Sequence, residues 1–284
     1  MLFQRWPARA PRFLIPLLAA AALAACSPSR LFPPGPDAPV ANRVSALLPV
    51  DALLLGEQHD APEHHAIERE TVEALAARGR LAALAIEMAE QGSSTAHLDR
   101  AATEAQVQTA LGWNEKAWPW SDYGPAVMAA VRAGVPVLGA NLPRARMKDA
   151  MADVSLDAQL GAEAHKAQQE AVRSGHCNLL PEAQIGPMTR VQIARDRAMA
   201  QTIVKARLPG KTVLLLSGAG HTAKALGVPQ HLPSDLAVKT VQLRAGATPD
   251  PPHEPGAFDA VWQTPALPEK DYCATLRAQA APRS

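Results

Sequence analysis

Two motifs of the same type stand out because each places a histidine shortly after a run of three leucines. They are Gly56-Glu-Gln-His59 and Gly218-Ala-Gly-His221. Glycine allows the chain to turn sharply off a strand, so the histidine would project beyond the strand end. Imidazole binds transition metals and haem iron, and it transfers protons near neutral pH. Each motif therefore carries a candidate ligand or proton carrier.

Polar residues close the other apolar runs as well. Glu57 lies inside the first motif, Glu87 ends the next apolar run, and Asn141 ends a third. A carboxylate there could bind a metal, orient an imidazole through a hydrogen bond, or act as a general base. Taken together, the predicted catalytic or metal-binding residues are Glu57, His59, Glu87 and His221, with His59, Glu87 and His221 as the metal ligands.

Two further histidines, His64 and His65, follow His59 closely. They fall in the first turn of a predicted helix, where histidines are often solvated. His65 is only one strand-to-helix turn from His59 and could reach the same site. His64 is the weaker candidate.

The elements that must position these residues alternate along the chain. Apolar runs predict strands at 51–57, 81–88, 135–141, 211–218, 237–243 and 258–263. Most runs are continuously apolar, as in strands covered by helices on both faces. Helical patterns lie between them, at 62–79, 124–134 and 188–208. The order predicts an α/β fold, a mostly parallel sheet flanked by helices, whose carboxyl edge would gather the polar residues.

The remaining segments define the domain organisation. A single α/β domain is predicted over 41–275, with a short tail at 276–284. Segments 92–122 and 144–185 show no strand pattern, and we interpret them as helical insertions that form a cap subdomain.

Two stretches could line a pocket for a flat ligand. The segment WNEKAWPWSDYGP concentrates Trp113, Trp118, Trp120 and Tyr123 in a chain that is only 4% aromatic. The segment NLPRARMKD places Arg144 after the third predicted strand, where it could bind carboxylates such as propionates. A packed loop and a solvated helix start are the alternative interpretations.

The N-terminus has the pattern of an export signal. Arg5, Arg9 and Arg12 precede a short apolar run at 13–25, which is too short to span a bilayer comfortably. Leu-Ala-Ala-Cys, ending at Cys26, resembles a bacterial lipobox, so we interpret 1–26 as a lipoprotein signal peptide with its lipobox cysteine. The resemblance implies cleavage before Cys26, which would become the lipidated N-terminus of the mature protein. The Pro- and Ser-rich segment 27–40 would then be a flexible tether to the membrane.

The cysteine content and the net charge further limit the functions that the protein can have. In an exported protein Cys177 and Cys273 could form a disulfide, or they could be free thiols, or Cys177 could be a ligand beside His176. The formal net charge is +1 and the chain has no basic run, so no nucleic-acid partner is predicted.

The ordered set of motifs resembles the ChaN family of haem-binding lipoproteins, within the Tiki-like superfamily. The matching stretches are GEQHDAPEHH, AIEM, WPWSDYGP, GANLPR, AQIGPMTRVQIARDRAMA and LLLSGAGHTAKALGVPQHLP. The resemblance implies an α/β core with a helical subdomain, haem binding, and a role in iron acquisition at the bacterial envelope. Ser27, rather than an acidic residue, follows Cys26, which favours a lipid-anchored protein on the periplasmic side of the outer membrane. A homodimer that forms on haem binding is a further expectation.

The resemblance also implies roles for individual residues. Tyr123 matches the family's tyrosine and is the first choice for an axial haem ligand, since a phenolate can bind ferric haem. Arg195 and Asp196 match an Arg-Asp pair on a helix of the family. The predicted haem-binding residues are Tyr123, His59, His65, His221, Asn141, Arg144 and Arg195.

The sequence leaves three functions open. The first is haem binding without chemistry. The second is hydrolysis of a peptide or ester, with His59 or one divalent transition metal activating water and Glu57 or Glu87 as base or ligand. The third is a structural envelope lipoprotein.

Overall fold

The computed structural model describes residues 35, 37–246, 256–274 and 277–278. The predicted signal peptide, Cys26 and most of the predicted tether lie outside these residues. Within the described part, no helix is both long and apolar enough to cross a membrane.

In the described part of the chain, six strands form one sheet, and every pairing between neighbours is parallel. The strands are β1 (Ala52–Glu57), β2 (Leu81–Glu90), β3 (Val137–Asn141), β4 (Thr212–Gly218), β5 (Val238–Ala245) and β6 (Ala260–Thr264). Their order across the sheet is β3-β2-β4-β1-β5-β6. The predicted parallel α/β sheet is thereby confirmed.

Helices cover both faces of the sheet. They are α1 (Val40–Leu47), α2 (Pro62–Ala77), α3 (Glu104–Leu111), α4 (Trp120–Arg132), α5 (Met147–Ala152), α6 (Ala162–Gly175), α7 (Glu182–Ala206) and the single turn α8 (Ala219–Thr222). Short 3-10 helices occur at Arg144–Arg146, Val154–Gln159 and Val228–His231.

Alternate residues of β1 point into two different cores, because successive side chains of a strand face opposite sides. Leu53 and Leu55 belong to the core that α1, α2 and α4 cover. Leu54 packs in the core on the other face, beneath Met199 of α7. Glu57 has the same parity as Leu55, so its side chain faces α2 and α4.

Two helices begin earlier than their sequence pattern predicts. Helix α4 starts at Trp120 rather than 124, and α7 starts at Glu182 rather than 188. In both, a Gly-Pro pair occupies the fifth and sixth helical positions. The carbonyl that each proline leaves without a donor belongs to an exposed residue, Ser121 or Ala183, which water can reach. Proline near the start therefore does not end either helix.

The segment 144–185 contains helices and no strand. Ala150, Leu156 and Leu160 from this segment pack on Val191 and Ile193 of α7, forming a third, smaller core. The segment 92–122 holds α3 and the start of α4, with an isolated antiparallel bridge between Ser94 and Leu138.

A disulfide joins Cys177, just after α6, to Cys273 near the end of the described chain. Of the alternatives that the sequence left open, the structure therefore contains the cross-link. It connects residues 96 positions apart.

Candidate functional site

The strand order brings three polar strand ends together. Strand β4 lies between β1 and β2, so their carboxyl ends are adjacent at one edge of the sheet. This edge carries Glu57 from β1, Glu87 from β2, and Gly218 and His221 from β4 and α8. It is the edge where open α/β sheets bind ligands.

His59 is the accessible member of this group. Its Nδ1 lies 2.7 Å from Oε1 of the buried Glu57, and its side chain is 42% exposed. The ring packs edge-on against Trp118, with the ring centres 4.9 Å apart. The bond to Glu57 fixes the ring orientation and leaves Nε2 as the nitrogen available to a ligand.

The Nε2 atom of His59 lies close to the backbone of β4. A Cβ added at Gly218 would be 3.0 Å from His59 Nε2 and 3.7 Å from Oε2 of Glu87. Burial lowers the pKa of His59, but the hydrogen bond to Glu57 and the charge of Glu87 outweigh it and raise the pKa. The absence of a side chain at 218 makes room for this imidazole.

Glu57 is shared by several partners on the α2 and α4 face of the sheet. The phenol of Tyr123 donates a 3.0 Å hydrogen bond to Oε1, and His65 Nε2 lies 3.2 Å from Oε2. Burial opposes ionisation of Glu57, but the hydrogen bonds from His59 and His65 hold its pKa below the usual value. Glu57 is therefore a buried carboxylate that organises three side chains.

Tyr123 is placed differently from an open haem ligand. It is 3% exposed, its ring lies against that of His65, and its hydroxyl is held by Glu57. Burial and the charge of Glu57 raise its pKa far above the ordinary value. Iron binding through this oxygen would require loss of a strongly held proton.

A second buried cluster lies on the α7 face. His221 Nδ1 is 2.6 Å from Asp196 Oδ1 of α7, and its Nε2 is 3.5 Å from Oε1 of Glu87. The Gly218 N–H donates to Oε2 of Glu87 at 2.9 Å. Burial disfavours the charged ring, but Glu87 and Asp196 raise the pKa of His221 to about 10.

The two carboxylates beside His221 differ in pKa. Burial opposes ionisation of Glu87, but His221, His59 and the Gly218 amide hold its pKa well below the usual value. Burial raises the pKa of Asp196 to about 6, although His221 partly offsets it. At neutral pH His221 is therefore an imidazolium between two carboxylates, with a proton on each nitrogen.

His64 and His65 are both buried, which corrects the expectation of solvated histidines at the helix start. The Gln58 N–H donates to His64 Nδ1 at 3.0 Å, so Nε2 carries the proton and donates to Thr264 Oγ1 at 3.1 Å. Burial lowers the pKa of His64 to about 4, so this ring is neutral. His64 thus joins the loop after β1 to β6.

The other predicted binding residues surround the edge of the sheet. Asn141 donates from Nδ2 to the carbonyl of Glu87 at 3.0 Å. Arg144 has an exposed side chain after β3, and its backbone N–H donates to Glu90. Arg195 is half-buried on α7, next to Asp196.

Glu68 is a member of the α2-side cluster that sequence reasoning missed. It is fully buried and lies near Glu57 and His65. The signal that could have found it is the spacing His65-x-x-Glu68, because residues three apart lie on one face of a helix.

A cleft of about 280 Å³ opens beside the second cluster. His221 and Gly220 form one wall, and Gln168 and His176 of the helical segment form another. His176 Nδ1 lies 2.8 Å from the Val172 carbonyl, which leaves its Nε2 facing away from that bond. The cap segment therefore takes part in shaping the edge of the sheet.

Gly56 serves close packing rather than a turn. Its φ is not in the left-handed region. A Cβ at this position would lie 2.2 Å from Thr222 Oγ1 and 2.8 Å from Ala219 Cα. The first motif therefore needs glycine so that α8, which carries His221, can approach β1.

Replacing Gly56 by alanine tests this packing. Because the added methyl meets backbone of α8, we expect Gly56→Ala to destabilise the protein by about 1–3 kcal/mol. Gly220→Ala is the matched control, since a Cβ there has nothing within 4 Å. Urea unfolding of both variants measures the difference, and equal stabilities would contradict the packing role of Gly56.

The parallel sheet and its polar carboxyl edge place the chain among α/β proteins that bind a ligand at strand ends. The sequence profile described as "Haem-binding uptake, Tiki superfamily, ChaN" matches residues 44–232. The chain belongs to this family.

A comparison with solved structures agrees with this family assignment. ChaN of Campylobacter jejuni, described as showing cofacial haem binding, superposes with a TM-score of 0.62 and 27% sequence identity. The match covers 73% of this chain and 87% of that chain. The type III effector HopBA1 has a TM-score of 0.45 and 17% identity over 85% of this chain and 100% of that chain. No curated protein matches the chain.

Proposed function

We propose that the protein binds haem at the carboxyl edge of its sheet and that His59 binds the iron. The observation that carries the proposal is the Glu57–His59 pair. A buried carboxylate holds Nδ1 at 2.7 Å while the side chain remains 42% exposed. A carboxylate behind a histidine strengthens the other ring nitrogen as an iron ligand.

The surroundings of His59 fit a flat, anionic cofactor. The half-buried Trp118 lies beside the imidazole and offers an aromatic wall. Arg144 is exposed at the end of β3, three strands away from β1 across the sheet. Neighbouring strands are about 4.8 Å apart, so the two strand ends are separated by roughly 14 Å, a span that a haem with its propionates can bridge.

His59 suits the iron better than the other histidines and Tyr123 do. His65 is buried, and His221 carries protons on both nitrogens at neutral pH. The Tyr123 hydroxyl is buried and bonded to Glu57. In this proposal Tyr123 and His65 support Glu57, and Glu57 positions His59.

The proposal also includes a cellular location and a cellular role. The lipobox at Cys26 supports a lipid anchor in the bacterial envelope, on the periplasmic side of the outer membrane. Membership in a haem-uptake family supports a role in iron acquisition. Cofacial haem binding by the Campylobacter jejuni protein supports a homodimer in which two haems face one another.

The hydrolase alternative, with His59, Glu87 and His221 as metal ligands, is less well supported. His221 Nδ1 and Nε2 both face carboxylates, and its pKa is raised to about 10. A metal at this position would have to displace a proton from His221.

The test of the proposed ligand compares variants in haemin titrations followed by visible absorption. We expect His59→Ala to weaken haem binding by at least the roughly 10–100-fold typical of losing an outer partner of a metal ligand, because here the ligand itself is lost. Tyr123→Phe should keep a Soret band close to that of the wild type. His97→Ala, at an exposed position away from the edge, is the control. Loss of the band in Tyr123→Phe, with His59→Ala unchanged, would assign the iron to Tyr123 instead.

A further inference from the structure

Behind the Glu57–His59 pair lies a group of buried side chains that includes Glu68, which the proposed haem site does not use. One ligand atom each from Glu57, His65 and Glu68 lies within 4.8 Å of the other two. The three residues are 2%, 8% and 0% exposed. Glu57 uses its two oxygens differently, because Oε1 faces His59 and Tyr123 while Oε2 faces His65.

Glu68 supplies the atoms here that lack a hydrogen-bond partner. Among the described residues, both of its carboxyl oxygens are buried and form no hydrogen bond, while the buried Glu57 Oε2 and His65 Nε2 contact each other at 3.2 Å. Buried polar groups without partners destabilise a fold, and native structures contain few of them. Two such atoms on Glu68, beside a buried imidazole and a second carboxylate, point to a bound species that contacts all three side chains.

The donor chemistry identifies the class of that species. One imidazole and two carboxylates are a ligand set that divalent first-row transition metals accept. Ligand distances of about 2.0–2.2 Å allow one ion to contact both His65 Nε2 and Glu57 Oε2, which lie 3.2 Å apart. His65 and Glu68 are three residues apart on α2 and share one helix face.

We propose that Glu57 Oε2, His65 Nε2 and Glu68 form a binding site for one divalent first-row transition-metal ion. The site is distinct from the proposed haem iron, because it uses the opposite oxygen of Glu57 together with His65 and Glu68. The ring of Tyr123, 4.7 Å from that of His65, fixes the imidazole from one side.

Metal binding at this position exchanges protons. Burial and the charge of Glu57 raise the pKa of Glu68 well above its usual value, so without a cation Glu68 retains a proton. A divalent ion would displace that proton to solvent and form a bond to the carboxylate. The affinity for the ion should therefore rise with pH.

The test is equilibrium titration of chelator-treated, purified protein with Co²⁺ and Zn²⁺. Elemental analysis gives the stoichiometry, and the visible ligand-field bands of Co²⁺ report its coordination. We expect one ion per chain in the wild type and an affinity lower by more than about 100-fold in Glu68→Gln, since a direct ligand is lost. Glu70→Gln, an exposed glutamate on the same helix, should bind like the wild type.

Two results would overturn the inference. One is a wild-type protein that binds no stoichiometric Co²⁺ or Zn²⁺, which needs no variant to interpret. The other is unchanged binding in Glu68→Gln with a normal circular dichroism spectrum. Haemin titration of the same wild-type sample separates the two proposals. If the protein binds haemin but binds neither Co²⁺ nor Zn²⁺, only the proposed metal site is contradicted.

Discussion

Replacing His221 by glutamine should reduce the free energy of unfolding by about 3–5 kcal/mol, because it removes the cation from a buried charge cluster. Glu87 and Asp196 are 3% and 1% exposed, and His221 is the cation between them. Without it, two buried carboxylates lie close together with no positive charge. Glutamine retains hydrogen-bonding capacity, so the difference reports mainly on charge.

The pH dependence of this difference has a defined sign. The pKa of His221 is raised from 6.5 to about 10 on folding, so its contribution is fully present below about pH 6.5 and is lost as the pH rises towards 10. The difference in free energy of unfolding between the wild type and His221→Gln should therefore become smaller above neutral pH.

The measurement is urea unfolding at several pH values, with the disulfide kept oxidised. His97→Gln is a suitable control because His97 is exposed, and it should change stability by less than about 0.5 kcal/mol. The buried imidazolium would be ruled out if His221→Gln lowered the free energy of unfolding no more than the control does. It would also be ruled out if the loss did not vary between pH 7 and 10.

Removing the disulfide should produce an effect of similar size. The bond between Cys177 and Cys273 closes a loop across 96 positions. For a loop of this length the chain-entropy account gives a stabilisation of about 4–5 kcal/mol, by restricting the unfolded chain. Both cysteines are only partly buried, so serine at these positions should add little other cost.

Urea unfolding of Cys177→Ser/Cys273→Ser against the oxidised wild type measures this effect. The reduced wild type is the matched control, since it lacks the bond but keeps both cysteine side chains. We expect the double variant and the reduced protein to unfold at similar, lower urea concentrations. A double variant as stable as the oxidised protein would show that the bond does not restrict global unfolding.

The sheet could be predicted from the sequence to a large extent. No predicted strand end differs from the observed one by more than two residues. The reason is that continuous apolar runs bounded by polar residues are a strong signal for strands covered on both faces. The starts of α4 and α7 were predicted too late, because Gly-Pro pairs look like helix boundaries while the preceding turns still contain buried residues, Tyr123 and Ile185.

The site was only partly predictable. That Glu57, Glu87 and His221 share one edge follows from parallel strands, and the structure brings them together. Which of these side chains contact one another does not follow from the sequence, because the contacts depend on β4 lying between β1 and β2. This order places Glu57 with Tyr123 on one face and Glu87 with Asp196 on the other.

The burial of individual side chains was the least predictable property. Tyr123, the first choice for the iron ligand, is enclosed, while His59 remains accessible. Glu68 was overlooked because a glutamate in a helix is usually solvated, and its burial depends on how α2 packs against α4 and the sheet.

Haem binding at the carboxyl edge of the sheet can be measured by titrating haemin into the purified wild-type protein. We expect a Soret band that saturates at a fixed ratio of haem to chain. The same titration of His59→Ala should give a much weaker band. A wild-type titration that yields only the spectrum of free haemin at every ratio would show that the protein does not bind haem.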